Sequence, residues 1–129
     1  MVEVVDLETL VTRIEDGTSI ALPPDYSGCA MSAVRLLIER GVTDLRVITV
    51  PQGGLQVDLL TGAGCASVLE SAAVTLGEHG LAPRPTVAMR TGSLHMRQSP
   101  RPAITDVLHA PGHALPFLPP RGSTGVDRA

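Results

Sequence analysis

The sequence predicts an α/β fold, an open and mainly parallel sheet flanked by helices. Three observations carry this. Short apolar runs rich in β-branched residues recur at 19–22, 45–50 and 67–74. An amphipathic stretch of helical length separates the first two, the pattern of a β-α-β crossover. Glycines and prolines punctuate the ends of these runs and not their middles. Strands that alternate with helices pair in parallel with the helices packed outside, and such crossovers are right-handed.

Asp6 to Asp16 reads as an amphipathic helix, because Leu7, Leu10, Val11 and Ile14 fall at the i, i+3, i+4, i+7 spacing of one apolar face. Asp6 can cap its start and Gly17 can supply a left-handed stop. Ser19 to Leu22 is a short strand, ended by Pro23-Pro24, neither of which can donate to a ladder. Ser27 to Arg40 is the second helix. Ser27 is its candidate cap, Ala30, Val34, Leu37 and Ile38 its buried stripe, and Gly41 its stop. Leu45 to Val50 (LRVITV) is the second strand, suited to a covered sheet. Pro51-Gln52-Gly53-Gly54 is a loop able to take positive φ angles. Val57 to Thr61 gives one or two helical turns closed by Gly62 and Gly64, and Ser67 to Val74 is the third strand.

After Gly80 the character changes, since eight of the 11 prolines follow it. A helix from about Pro85 to Arg90, stopped by Gly92, fits the pattern. Residues 95–103 read as loop, 104–110 as a short helix, and Gly122 to Ala129 as a disordered tail. The expected organisation is one α/β domain over 1–121 with a flexible tail at 122–129.

The bulk composition narrows the function. A chain of 129 residues is one domain by length and can bury a real core. With one Tyr, one Phe and no Trp, base stacking is disfavoured, and a net charge of -3 without a basic cluster argues against nucleic acid. No apolar run approaches the roughly 20 residues of a membrane span. The start, MVEVVDLETL, is acidic where a signal peptide needs Lys or Arg. Two cysteines, Cys29 and Cys65, make no disulfide framework, so the cytoplasm is the expected location.

Several residues invite chemical readings. Gly53-Gly54 and Gly62-x-Gly64 can cradle a substrate phosphate or carboxylate at a helix N-terminus, or they can serve tight turns alone. There is no G-x-G-x-x-G and no P-loop, and the chain has no lysine to meet a phosphate or form a Schiff base. His109 and His113 have the spacing of a helical metal pair, but Pro111 and Gly112 between them disfavour that helix, so no metal site is expected. Cys29 falls in the first turn of a predicted helix, where the dipole lowers a thiol pKa; the plainer reading is a small buried apolar residue. Glu78-His79 lies in a turn and reads as solvated. Pro116 to Arg121 has polyproline character and reads as a rigid segment laid over the sheet.

Five segments, taken in order, resemble the A (alpha) subunit of the class I coenzyme A transferases. They are Asp16-Gly17-Thr18-Ser19-Ile20-Ala21, Arg40-Gly41-Val42-Thr43-Asp44-Leu45, Asp58-Leu59-Leu60 with Gly62 and Gly64, Gly80-Leu81-Ala82-Pro83, and His109-Ala110 followed by Leu115-Pro116-Phe117-Leu118-Pro119. The resemblance covers about residues 6–120. It implies an open α/β fold shared by two kinds of subunit. It also implies a partner B-type subunit carrying a catalytic glutamate, which attacks an acyl-CoA thioester and passes CoA to a carboxylic acid. The A subunit supplies groups around the acyl part of the site, so this chain would hold no catalytic residue and no resident cofactor, coenzyme A entering as substrate.

The chain also departs from that pattern. The family's first strand usually ends in Gly-Gly-Phe; here Pro23, Pro24 and Asp25 stand there, and two amide donors are lost. An acidic residue and a Ser common before the Leu-Pro-Phe segment fall near Arg97 and Pro100. Family members are typically much longer, so the fold is expected to be incomplete relative to them. Two readings of other kinds therefore stand beside the transferase subunit: a catalytically inactive relic or interaction domain of the same fold, and a small anion-binding α/β module.

Overall fold

The computed structural model describes residues 2–26 and 28–98. Its strands are β1 (Ser19–Leu22), β2 (Leu45–Thr49), β3 (Ala66–Ser71) and β4 (His95–Gln98). Its helices are α1 (Leu7–Thr12), α2 (Met31–Arg40), α3 (Leu55–Gly62) and α4 (Pro83–Thr91), with one 3-10 turn at Gly77–His79. The sheet is wholly parallel, and its spatial order, β1-β2-β3-β4, is the chain order. Ile20 lies beside Val47, Val47 beside Leu69, and Leu69 beside Met96. Successive crossovers of one hand place α2, α3 and α4 on one face, where α1 packs on α2, α2 on α3 and α3 on α4.

The core lies between that face and the helices. Leu45, Val47 and Leu69 of the sheet meet Val11 of α1, Val34 and Leu37 of α2, and Val57 and Leu60 of α3. Each buried side chain contributes about 1.5–3 kcal/mol relative to exposure. Two hydroxyls share this face where the strands end. Thr49 Oγ1 lies 2.6 Å from Ser71 Oγ and 3.0 Å from the Pro51 carbonyl, and the Ser71 hydroxyl donates to the Ala73 carbonyl at 2.7 Å. Buried and satisfied, they tie the strand ends to the loops that follow. The opposite face carries half-buried Arg46, Ile48, Val68 and Glu70 between exposed Ser19, Ala21, His95 and Arg97, and Arg46 pairs with Glu70 at 3.0 Å.

The three expected strands are present, adjacent and parallel. Elsewhere the structure corrects the reading. The first helix stops at Thr12 and not at Asp16. The Arg13 amide already closes it on Leu10, and Gly17 spends its positive φ in the turn into β1. Leu7 and Leu10 are 38% and 48% exposed, so Val11 alone of the expected face is fully buried. The second helix begins at Met31, with exposed Ala30 as its N-cap. Ser27 lies outside the described residues, and the Ala30 amide is met by Gln56 Oε1 at 3.2 Å. Cys29 therefore precedes the helix, half-buried, and no first turn acts on it. The third strand stops at Ser71, because the Ala72 amide turns to the Pro51 carbonyl.

Residues 95–98, read as loop, form β4. An edge strand needs one buried side at most, and HMRQ offers only Met96 to the core, too little for an apolar signal. The last helix starts at Pro83, two residues early, since proline suits a first turn whose amides need no helical partner. The expected helix at 104–110, His109 and His113, the Pro116–Arg121 segment and the 121/122 boundary lie outside the described residues.

Candidate functional site

The strands β1, β2 and β3 all run toward one end of the sheet, the end at which open α/β sheets bind ligands. The loops leaving them enclose a cleft of about 300 Å³ lined by Pro24, Asp25, Tyr26, Gln52, Gly53, Gly54, Thr75 and Gly77. Each wall follows from local sequence. Pro23-Pro24 breaks β1 and delivers Asp25 and an exposed Tyr26. The peptide between Val50 and Pro51 is cis and turns the chain after β2. Gly53 then bridges the third loop, its amide donating to the Ala73 carbonyl at 2.9 Å and its carbonyl accepting from Thr75 at 3.0 Å.

Neither Gly53 nor Gly54 has a positive φ, contrary to the conformational role expected of this loop. Their requirement is space. A Cβ on Gly53 would lie 2.6 Å from Val57 Cγ2 and 2.9 Å from Thr49 Cγ2. A Cβ on Gly54 would lie 2.6 Å from Asp25 Cγ. The Asp25 carboxylate is seated on this bare backbone. Its Oδ2 accepts from the Leu55 amide at 2.6 Å, and its Oδ1 has a long contact of 3.5 Å with Gln56 Nε2. Gln56, only 1% exposed, also donates to the Pro23 carbonyl at 3.0 Å, so one buried amide clamps the loop after β1 to α3.

The amide at the start of α3, which an external anion would seek, is thus met by a carboxylate of the chain itself. Among the described residues no Arg, Lys or His lines the cleft, and Asp25 is the one charged residue of that lining. Of the four glycines singled out in the sequence, the structure brings Gly53 and Gly54 together here and places Gly62 and Gly64 elsewhere. Gly62 is the last residue of α3 and Gly64 follows it, about 12 Å along the helix axis from its start. Gly62 packs on the Arg84 side chain, and Gly64, at φ 76, turns the chain toward β3. Asp25, Gln56, Thr75 and Gly77 were not singled out as binding residues. The one available signal was Asp25 standing beside two prolines at the end of a strand. Among the described residues no group of three His, Cys, Asp or Glu side chains is placed to hold a metal.

No family model matches the chain, and no curated protein sequence does. Solved structures do match. A crystal structure of a variant of the decarboxylase AibA/AibB superposes with a TM-score of 0.76 at 31% identity, over 90% of this chain and 45% of that one. Glutaconate coenzyme A-transferase from Acidaminococcus fermentans superposes with a TM-score of 0.82 at 23% identity, over 94% of this chain and 39% of that one.

The fold is that of the coenzyme A transferases. The chain spans less than half the length of both solved chains. Within this coenzyme A transferase fold, the first two segments that carry the sequence resemblance include turns that set the chain path. The Thr43 amide donates to Asp16 Oδ1 at 2.9 Å and the Gly17 amide to the Thr43 carbonyl at 3.1 Å, so the first two segments are joined to each other. Gly41, at φ 70, ends α2, and Asp44, at φ 57, turns into β2. Among the described residues no helix is long and apolar enough to cross a membrane.

Proposed function

We propose that the chain is a non-nucleophilic, A-type subunit of a coenzyme A transferase. It works with a B-type subunit whose glutamate takes CoA from an acyl-CoA and passes it to a carboxylic acid, without a resident cofactor. The observation that supports this most is the likeness to a coenzyme A transferase over 94% of the chain, with a cleft at the carboxyl ends of β1 to β3. In this reading Gly53 and Gly54 are the substrate-binding glycines, their bare backbone forming one wall for the acyl group. Gly62 and Gly64 would meet substrate only through a surface completed by the partner, being at the other end of α3. Among the described residues the cleft lining offers no cysteine, lysine or glutamate as a nucleophile, which fits a covalent step left to the partner. Two unpaired cysteines suit a reducing cytoplasm.

Co-expression with a B-type subunit, followed by a CoA-transfer assay, tests this. Transfer by the pair, with none from either chain alone, supports it. Robust turnover by the purified chain without a partner overturns it. A stable pair without transfer favours the second reading, a catalytically inactive domain of the same fold. The filling of the α3 amide by Asp25 is the observation on that side.

A further inference from the structure

The cleft has a definite electrostatic character. Among the described residues that line it, Asp25 carries a charge and no cation answers it. The Asp25 carboxylate spends one oxygen on the Leu55 amide at 2.6 Å, while its Oδ1 has a single long contact of 3.5 Å. A carboxylate accepts about four hydrogen bonds, so unspent acceptor capacity remains beside the cleft. The loop that presents it cannot easily retract, because buried Gln56 holds the Pro23 carbonyl and the Ala30 amide at once. Pro23 and Pro24 contribute no amide donor that could offset a second negative charge. Tyr26 adds an aromatic ring to the same lining, a surface that attracts cations.

We infer that Asp25 is a specificity-determining residue. It makes the cleft take ligands that present a hydrogen-bond donor, an ammonium, amide or hydroxyl group, and turn carboxylates away. A carboxylate entering here would face a like charge, whereas an ammonium group would find an acceptor and a ring face. This deepens the transferase reading and rests on it for one consequence: the acyl group lodged in the cleft ends in a donor such as a hydroxyl or amine, and the reacting carboxylate lies outside, toward the partner.

Three probes of nearly one shape test this on the full chain by itself: n-butylammonium, butyramide and butyrate. Amide chemical shifts at residues 25–26, 53–55 and 75–77 report occupancy during titration at millimolar concentration. The expected result is that butylammonium binds at least tenfold more tightly than butyrate, with butyramide between them. Asp25→Asn keeps an acceptor for the Leu55 amide and removes the charge, and it should shrink that preference to less than threefold. Asp25→Ser provides the same readout should the asparagine variant fail to fold. Equal binding, tighter binding of butyrate, no binding of any probe, or a preference that survives both substitutions overturns the inference. No partner and no CoA transfer enter the measurement, so its failure is distinct from failure of the transferase reading.

Discussion

Asp58 of α3 holds the start of α4 through Arg84. Its Oδ1 accepts from the Arg84 backbone amide at 3.0 Å, and its Oδ2 accepts from Nη1 at 2.5 Å. The Asp58 side chain is 1% exposed and that of Arg84 53%. Ala82, the N-cap residue of α4, has no side-chain acceptor, so a carboxylate from the neighbouring helix does the capping. The two arms of this contact differ in worth, because one is buried and the other reaches solvent.

Asp58→Ala should therefore cost about 1–2 kcal/mol, losing the cap and leaving a half-buried amide without its acceptor. Arg84→Ala keeps the backbone bond and should cost about 1 kcal/mol, in the range of a largely exposed ion pair. Urea denaturation of the two variants checks the order; equal losses would show that the guanidinium and not the cap is what matters.

Gly54 and Gly62 should respond differently to alanine. At Gly54 the new methyl meets the Asp25 carboxylate, which is fixed by Leu55 and Gln56, so Gly54→Ala should cost about 1–3 kcal/mol. Combining it with Asp25→Gly should return part of that loss, a positive coupling in a double-mutant cycle. At Gly62 the methyl meets Arg84 Cδ and lies 2.8 Å from its Nε, on a half-exposed side chain that can move outward by giving up its bond to Asp58. The gain of up to about 1 kcal/mol in helix propensity then offsets the crowding. Thermal melts of both single variants check the contrast, and a larger loss at Gly62 would contradict it.

The cysteines should react in order. Burial pushes the Cys65 thiol above its ordinary value of 9.0, whereas Cys29 is half-buried in a loop. A thiol reagent at neutral pH should label Cys29 first and reach Cys65 only on unfolding. A raised pKa means that the fold favours the protonated thiol. Its contribution to stability is complete below pH 9.0 and declines as pH rises through the higher folded value. Cys65→Ala should flatten this alkaline decline in denaturant midpoint between pH 8 and pH 10.

Asp6 works at the opposite end of the pH scale. Hydrogen bonds from Thr9, the side-chain one first and the backbone amide at 2.7 Å next, hold its carboxyl below the usual 3.8. The sign is that of a depressed carboxylate: its support of α1 is present above pH 3.8 and fades as pH falls through the lower folded value. The Thr9 amide resonance should move over that acid range in the native chain and not in Asp6→Ala. An amide that stays still in the native chain would remove the cap from the account.

Much of the fold was legible because it is local. LRVITV and SIAL are apolar runs bounded by turn residues, and both strands emerged within one residue of expectation. β4 was not legible, since an edge strand with one core-facing residue leaves no alternation to read. The candidate cleft was half legible. Gly53-Gly54 stood out as a loop, but its true constraint is the approach of Asp25, which comes from a loop far away in sequence. Gln56 could not be found by pattern, because its partners Pro23 and Ala30 are tertiary. Of the five segments behind the resemblance, those around Asp16 and Gly41 lie in turns and Asp58 ties α3 to α4, roles that specify chain path, so they foretold architecture.

The coincidence of spatial and chain order in the sheet bears on how the protein is made. Among the described residues each strand pairs with the one synthesised just before it, with no gap between neighbours in the order. The chain can therefore assemble vectorially from the ribosome, each new helix and strand adding to a finished edge. Among the described residues, β4 is the strand whose loss would leave every earlier pairing intact.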